Sequence, residues 1–261
     1  MGRALLQNSL LARARNPPEH FDLIARGAAS CKTSHSIGLS QSFLVHAAQK
    51  ENTMTNKDGG VVWRPSTESI GLKCFVVSLH RTGTRAMSDF LRSFLSVLQY
   101  PVRHRGIDME SKVQGREADL EFVAETLGPA LDAYDSVSDV PIPVLYRQLF
   151  RRYPTARFIL LLRNPFDWVR SVRRHIGTRA FWPYERVQYW HYLQQRPMKL
   201  SEVDDQQLLR MNALHTAEII EFFAQTAPQN LRVFELGAEN AGQAIAAFLG
   251  VDTDAPLPLI P

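Results

Sequence analysis

From Leu72 onward the chain alternates short apolar runs with longer stretches in which apolar residues return every three or four positions. The first pattern suits buried strands, the second amphipathic helices. Leu72 to Ser78 contains Cys-Phe-Val-Val, and Phe158 to Leu162 reads Phe-Ile-Leu-Leu-Leu, the clearest buried strand in the sequence. Ser136 to Ser138 and Leu231 to Phe234 are shorter candidates. Met87, Phe90, Leu91, Phe94 and Leu98 form one helical stripe, with Arg85, Ser88, Asp89, Arg92 and Ser93 on the other face. That stripe predicts a helix ending at Tyr100-Pro101. Further helices are predicted at 115–127 before Gly128-Pro129, at about 143–152, at 166–176 behind Pro165, at 181–196, at 206–226 and at 241–249 before Gly250. Strands alternating with helices predict an α/β fold, with a mainly parallel central sheet flanked by helices on both faces.

Residues 1–60 carry no such period. They hold Pro17-Pro18, scattered Ser and Gly, and Gly59-Gly60. A poorly ordered N-terminal extension is therefore expected over 1–60, with the folded domain at 61–261. Met1 to Arg15 bears arginines, lacks acids and is loosely amphipathic. Two readings stay open: a targeting peptide, or a chain whose true start is Met54.

Composition narrows the class. With 45% apolar and 21% charged residues among 261, the chain can bury a sizeable core, which excludes disordered and collagen-like proteins. No apolar run approaches the ~20 residues of a spanning helix, so no membrane span is expected. Cys31 and Cys74 match neither a disulfide framework nor a zinc pattern. A reducing, cytoplasmic setting is expected, with organelle targeting by residues 1–50 left open. The net charge of +4 resides in residues 1–50, which hold six Lys/Arg against two acids. Residues 151–200 hold eleven Lys/Arg against two acids, whereas 101–150 and 201–261 are acidic. That distribution gives no basic coat for nucleic acid. The local cationic block suits an anionic small ligand, although a solvated arginine-rich helix face has the same composition.

Two motifs carry chemistry. The first is the turn His80-Arg81-Thr82-Gly83-Thr84-Arg85 between the first strand and its helix. Backbone N–H groups at a helix N-terminus bind anions, and Gly83 permits close approach. Thr82 and Thr84 offer hydroxyls, and Arg81 and Arg85 charge-assisted donors. The Walker spacing and its lysine are missing. An ordinary strand–turn–helix connection remains an alternative for this turn taken alone. The second motif is Arg163, at the C-terminal end of the strand Phe158–Leu162, with Ser171 eight residues on in the next helix. Open α/β sheets bind ligands at such strand ends.

Together these residues resemble the sulfotransferases that use 3′-phosphoadenosine 5′-phosphosulfate (PAPS), and most closely small members with a Pro-Arg-Thr-Gly-Thr type loop. His80 departs from the usual proline. The resemblance covers roughly 72–258. It implies a three-layer P-loop-like fold, PAPS as co-substrate, and no metal. It implies that the loop Arg81, Thr82, Gly83, Thr84 and Arg85 binds the 5′-phosphosulfate, and that Arg163 and Ser171 bind the 3′-phosphate. Arg81 stands where many relatives have lysine and is expected to act as an electrostatic clamp. Relatives place a His or Glu general base near the end of the preceding strand, where this chain has Asp139. The alternative for Asp139 is a cap on the helix that follows. His80 and His104 rank below it as bases. The acceptor is expected to be a small molecule or carbohydrate bearing a hydroxyl or amine. A P-loop nucleotide kinase and a non-catalytic nucleotide-binding protein are the competing readings. Arg170, Arg173 and Arg174, and the aromatic segment Phe181 to Tyr192, divide between surface, core and ligand contact.

Overall fold

The computed structural model describes residues 54–55, 61–62, 71–104, 106–238 and 241–251. The expected extension therefore lies almost wholly outside the described residues, as do residues 252–261. Met54–Thr55 (β1) and Val61–Val62 (β2) pair antiparallel as a separate short ladder.

The central sheet has five strands, all parallel, in the order β4-β5-β3-β6-β7. They are Cys74–Val76 (β3), Val97–Gln99 (β4), Ser136–Ser138 (β5), Arg157–Leu162 (β6) and Leu231–Glu235 (β7). The chain leaves β3 toward β4, returns to insert β5, and then crosses to the other side of β3 for β6 and β7. This reversal beside β3 is the point where open parallel sheets form a crevice at their C-terminal edge.

Side-chain alternation divides the core into two layers. Phe75, Val77, Val137, Phe158 and Leu160 face one side, with Trp168, Ile219 and Phe223. Cys74, Val76, Ile159 and Leu161 face the other, with Met87, Phe90, Leu91 and Ile245. Because both faces are covered, these strands read as continuous apolar runs.

The helices bearing on the site are Thr84–Leu91 (α1), Pro165–Ile176 (α6), Pro183–Leu193 (α7) and Asp205–Thr226 (α8). Met109–Val113 (α2), Leu120–Thr126 (α3), Gly128–Ala133 (α4) and Tyr146–Arg152 (α5) lie between α1 and α6 along the chain, and Ala241–Leu249 (α9) follows β7. Asn164 caps α6, its Oδ1 accepting the N–H groups of Phe166 and Asp167, with Pro165 in the first turn. Asp204 and Gln207 form a reciprocal capping box on α8.

Two sequence expectations need correction. The stripe through Phe94 and Leu98 is not one helix: α1 stops at Leu91 and Val97–Gln99 is an edge strand. Ser96 draws the chain into the sheet. Its N–H and hydroxyl both donate to Asp135 Oδ2, and its carbonyl accepts the N–H of Ser136. The 115–127 helix is likewise split. Gly115 sits at φ 79° between α2 and α3, and Asp119 caps α3 through the N–H of Phe122.

Phe158 is fully buried, with its ring packed against Phe75, Phe150 and Phe223. Phe158→Ala should lower unfolding free energy by about 3–5 kcal/mol in urea titrations.

Candidate active site

Three adjacent strands deliver their C-terminal ends to one place. β3 runs into His80 and the loop, β5 into Asp139, and β6 into Arg163. A cleft of about 750 Å³ opens there. Its lining includes Arg81, Gly83, Thr84, Arg85, Asp139 and Arg163. That volume suits a nucleotide-sized ligand.

The two sequence motifs are joined directly. Arg163 donates from Nη1 to the backbone carbonyl of Arg81 at 2.9 Å. Arg81 donates from Nε to Ser171 Oγ at 3.2 Å. Trp168, fully buried in α6, donates its indole N–H to the carbonyl of His80 at 2.8 Å. The helix carrying Ser171 is therefore tied to both ends of the His80–Arg81 step.

Backbone geometry marks the same residues. Arg81 (φ 67°) and Asp139 (φ 72°) occupy the left-handed region without being glycine. Such residues are uncommon and cost of order 1 kcal/mol or more, and they cluster at functional sites. Gly83, at φ 89°, is the N-cap of α1 and supplies no side-chain cap. The N-terminal end of α1 opens onto the cleft through Gly83, Thr84, Arg85 and Ala86.

Each remaining residue has a definite position. Thr82 is turned inward, its hydroxyl donating to the carbonyl of Leu79 at 2.5 Å, so its side chain closes the turn. Asp139 is buried. Its Oδ1 accepts the N–H of Val140 at 2.8 Å, and its Oδ2 lies 3.3 Å from Gln99 Nε2 and 3.5 Å from Thr84 Oγ1. The helix-cap alternative fails, because the 3₁₀ turn Ile142–Leu145 that follows has no side-chain cap. Gln99 was missed in the sequence because its strand was read as helix. Glu185, from α7, also lines the cleft, and Arg179 grips its two oxygens at 2.6 and 2.7 Å.

Other candidates lie elsewhere. Arg170 pairs with Asp167 on the surface. Arg173 bonds Asp205 and the carbonyls of Leu200 and Val203. Phe181, Tyr189 and Tyr192 are core, whereas Trp182 is exposed. Among the described residues, no three His, Cys, Asp or Glu gather as a metal site, and no helix is long and apolar enough to cross a membrane.

Electrostatics favour an anion. Burial draws the Arg163 guanidinium below its ordinary value. Asp167 opposes that shift, while Arg81, Arg174 and Arg170 add repulsion. A bound anion relieves such cationic crowding.

The chain matches the sulfotransferase-domain family over residues 73–259, well over half its length. It belongs to that family. A stretch of 121 residues is 27% identical to the Ava biosynthesis cluster protein M of Aspergillus versicolor, covering 42% of this chain and 45% of that protein. This sulfotransferase-family chain thus spans less than half the length of that relative. Among solved structures, a sulfotransferase from Alicyclobacillus acidocaldarius is 16% identical with a TM-score of 0.44, over 76% of this chain and 85% of that one. Shikimate kinase from Bacteroides thetaiotaomicron is 15% identical with a TM-score of 0.43, over 69% and 99%. Mouse sulfotransferase SULT7A1 complexed with PAP is 14% identical with a TM-score of 0.37, over 72% and 62%.

Beneath the loop, α8 of this sulfotransferase-family chain supplies a buried support. His215 Nε2 donates to the carbonyl of Val77 at 2.8 Å, and its Nδ1 accepts from the Tyr192 hydroxyl at 2.7 Å. The neutral ring with its proton on Nε2 satisfies both nitrogens, and burial pushes its pKa down to about 4. The unfolded chain takes this proton near 6.5 and the folded chain only near 4. The stability it contributes is therefore complete above pH 6.5 and falls as the pH drops toward 4. Comparing wild type with His215→Gln in urea unfolding at pH 7 and pH 4 should isolate a loss of about 3 kcal/mol.

Proposed function

We propose that this chain transfers the sulfuryl group of PAPS to a hydroxyl or amine of a small-molecule or carbohydrate acceptor. The observation that supports the reading is the meeting of the two sequence motifs at one cleft, where Arg81 and Arg163 are part of the lining and the buried Ser171 bonds Arg81. Family membership supports it.

The acceptor oxygen or nitrogen attacks sulfur, the bond from sulfur to the 5′-phosphate oxygen breaks, and that oxygen leaves with the electron pair. Arg81 and the N-terminus of α1 hold the 5′-phosphosulfate, with Arg85 and the backbone of Thr82, Gly83 and Thr84 completing the cradle. Arg81 stays charged throughout and offsets the charge that develops on the leaving oxygen. Arg163 and Ser171 take the 3′-phosphate. Asp139, a buried residue of the cleft lining, is the general base that takes the acceptor's proton as the bond to sulfur forms. The protein's part is chiefly to position the two reactants and to stabilise charge.

Calorimetry with adenosine 3′,5′-bisphosphate tests the donor site. Binding should fall about 10- to 100-fold on Arg163→Ala, and by a similar factor for the ligand lacking its 3′-phosphate. No binding to wild type rejects the reading. With radiolabelled PAPS and a panel of hydroxyl and amine acceptors, Asp139→Asn should lower turnover about 100-fold or more and leave bisphosphate affinity unchanged. Full activity in that variant removes Asp139 from the mechanism.

A further inference from the structure

His80 stands where the resembled loop carries proline, and the ring it places in the cleft is held from two sides. Gln188 Nε2 lies 2.9 Å from His80 Nδ1, within hydrogen-bonding distance. The Trp168 ring packs 6.1 Å away, and its indole N–H anchors the His80 carbonyl. The other ring nitrogen, Nε2, is fully buried and has no hydrogen-bond partner. A buried polar group left unpaired costs about 1–3 kcal/mol. An unpartnered nitrogen on a residue lining a ligand cleft is most simply explained by a ligand atom that completes it.

The protonation state follows from the surroundings. Burial lowers the His80 pKa; Asp139, Glu185 and the Gln188 bond oppose this, and His175 reinforces it. The ring is therefore neutral at neutral pH. In the tautomer whose Nδ1 accepts from the Gln188 amide, the single ring proton sits on Nε2. The buried nitrogen is a donor, and it seeks an acceptor. Thr84 is engaged with Asp139, and Glu185 with Arg179 and the N–H of Trp182. What the neighbouring loop is shaped to receive is anionic oxygen.

Building on the donor assignment above, we propose that His80 donates its Nε2–H to a sulfuryl oxygen of PAPS. A neutral donor here adds to the clamp of Arg81 without a second full charge beside it, and it exchanges no proton during transfer. The contact exists only while the sulfuryl group is present. His80 therefore distinguishes the loaded nucleotide from the spent one, adenosine 3′,5′-bisphosphate, which lacks that group.

Calorimetry of PAPS and of the bisphosphate, without acceptor, tests this on the full chain. In His80→Leu, PAPS affinity should fall about tenfold while bisphosphate affinity stays within about twofold. His80→Gln, whose amide nitrogen can reach the position of imidazole Nε2, should restore the difference. ¹⁵N spectra of the unsubstituted protein with bisphosphate bound should report the Nε2–H tautomer. Three results overturn the proposal: equal weakening of both nucleotides, unchanged PAPS affinity in His80→Leu, or a ring proton on Nδ1. Wild type that binds neither nucleotide removes the donor assignment and this proposal with it. That outcome is distinct from a failure at His80 alone.

Discussion

One linkage organises the rest of the molecule: the guanidinium of Arg163 on the carbonyl of Arg81, and the guanidinium of Arg81 on the hydroxyl of Ser171. These bonds join segments more than eighty residues apart in sequence. They work only because β3 and β6 are direct neighbours in parallel register, Phe75 opposite Phe158. β6 runs on to Leu162, past the level where β3 ends at Val76 opposite Ile159, so that Arg163 comes level with the turn that follows β3 and the two segments meet. A sheet that placed β6 elsewhere would separate the two arginines by further strand spacings of about 4.8 Å each.

Support for that linkage comes from both neighbouring helices. On α6, Trp168 fixes His80 through its carbonyl, in the same helix that carries Ser171. On α8, His215 fixes Val77, three residues before His80. Both are buried side chains that donate to main-chain carbonyls. The loop's position is thus set by specific hydrogen bonds as well as by apolar packing, and a buried bond of this kind is costly to leave unmade.

Much of this was legible in the sequence. β6 announced itself by five consecutive apolar residues, and α6 by Asn164-Pro165 at its start, because burial on both faces and helix capping are local signals. The loop and Arg163 were legible as anion-binding candidates for the same reason. β4 was not. Phe94 and Leu98 happen to extend the helical stripe of α1, and the force that overrides it is Ser96 bonding to Asp135, 39 residues away. Gln99, and with it one of the partners of Asp139, disappeared behind that misreading. The inward turn of Thr82 and the pairing of His80 with Gln188 are tertiary facts that no spacing encodes.

The left-handed torsions at Arg81 and Asp139 have a consequence for how a ligand is met. Those angles are set when the chain folds, with ring, carboxylate and guanidinium contacts already in place around them. An arriving molecule encounters walls that have already taken shape. For a ligand bound in this cleft, a loop held in this way would have less freedom to surrender at the encounter, and discrimination between close analogues would rest on fit more than on adjustment.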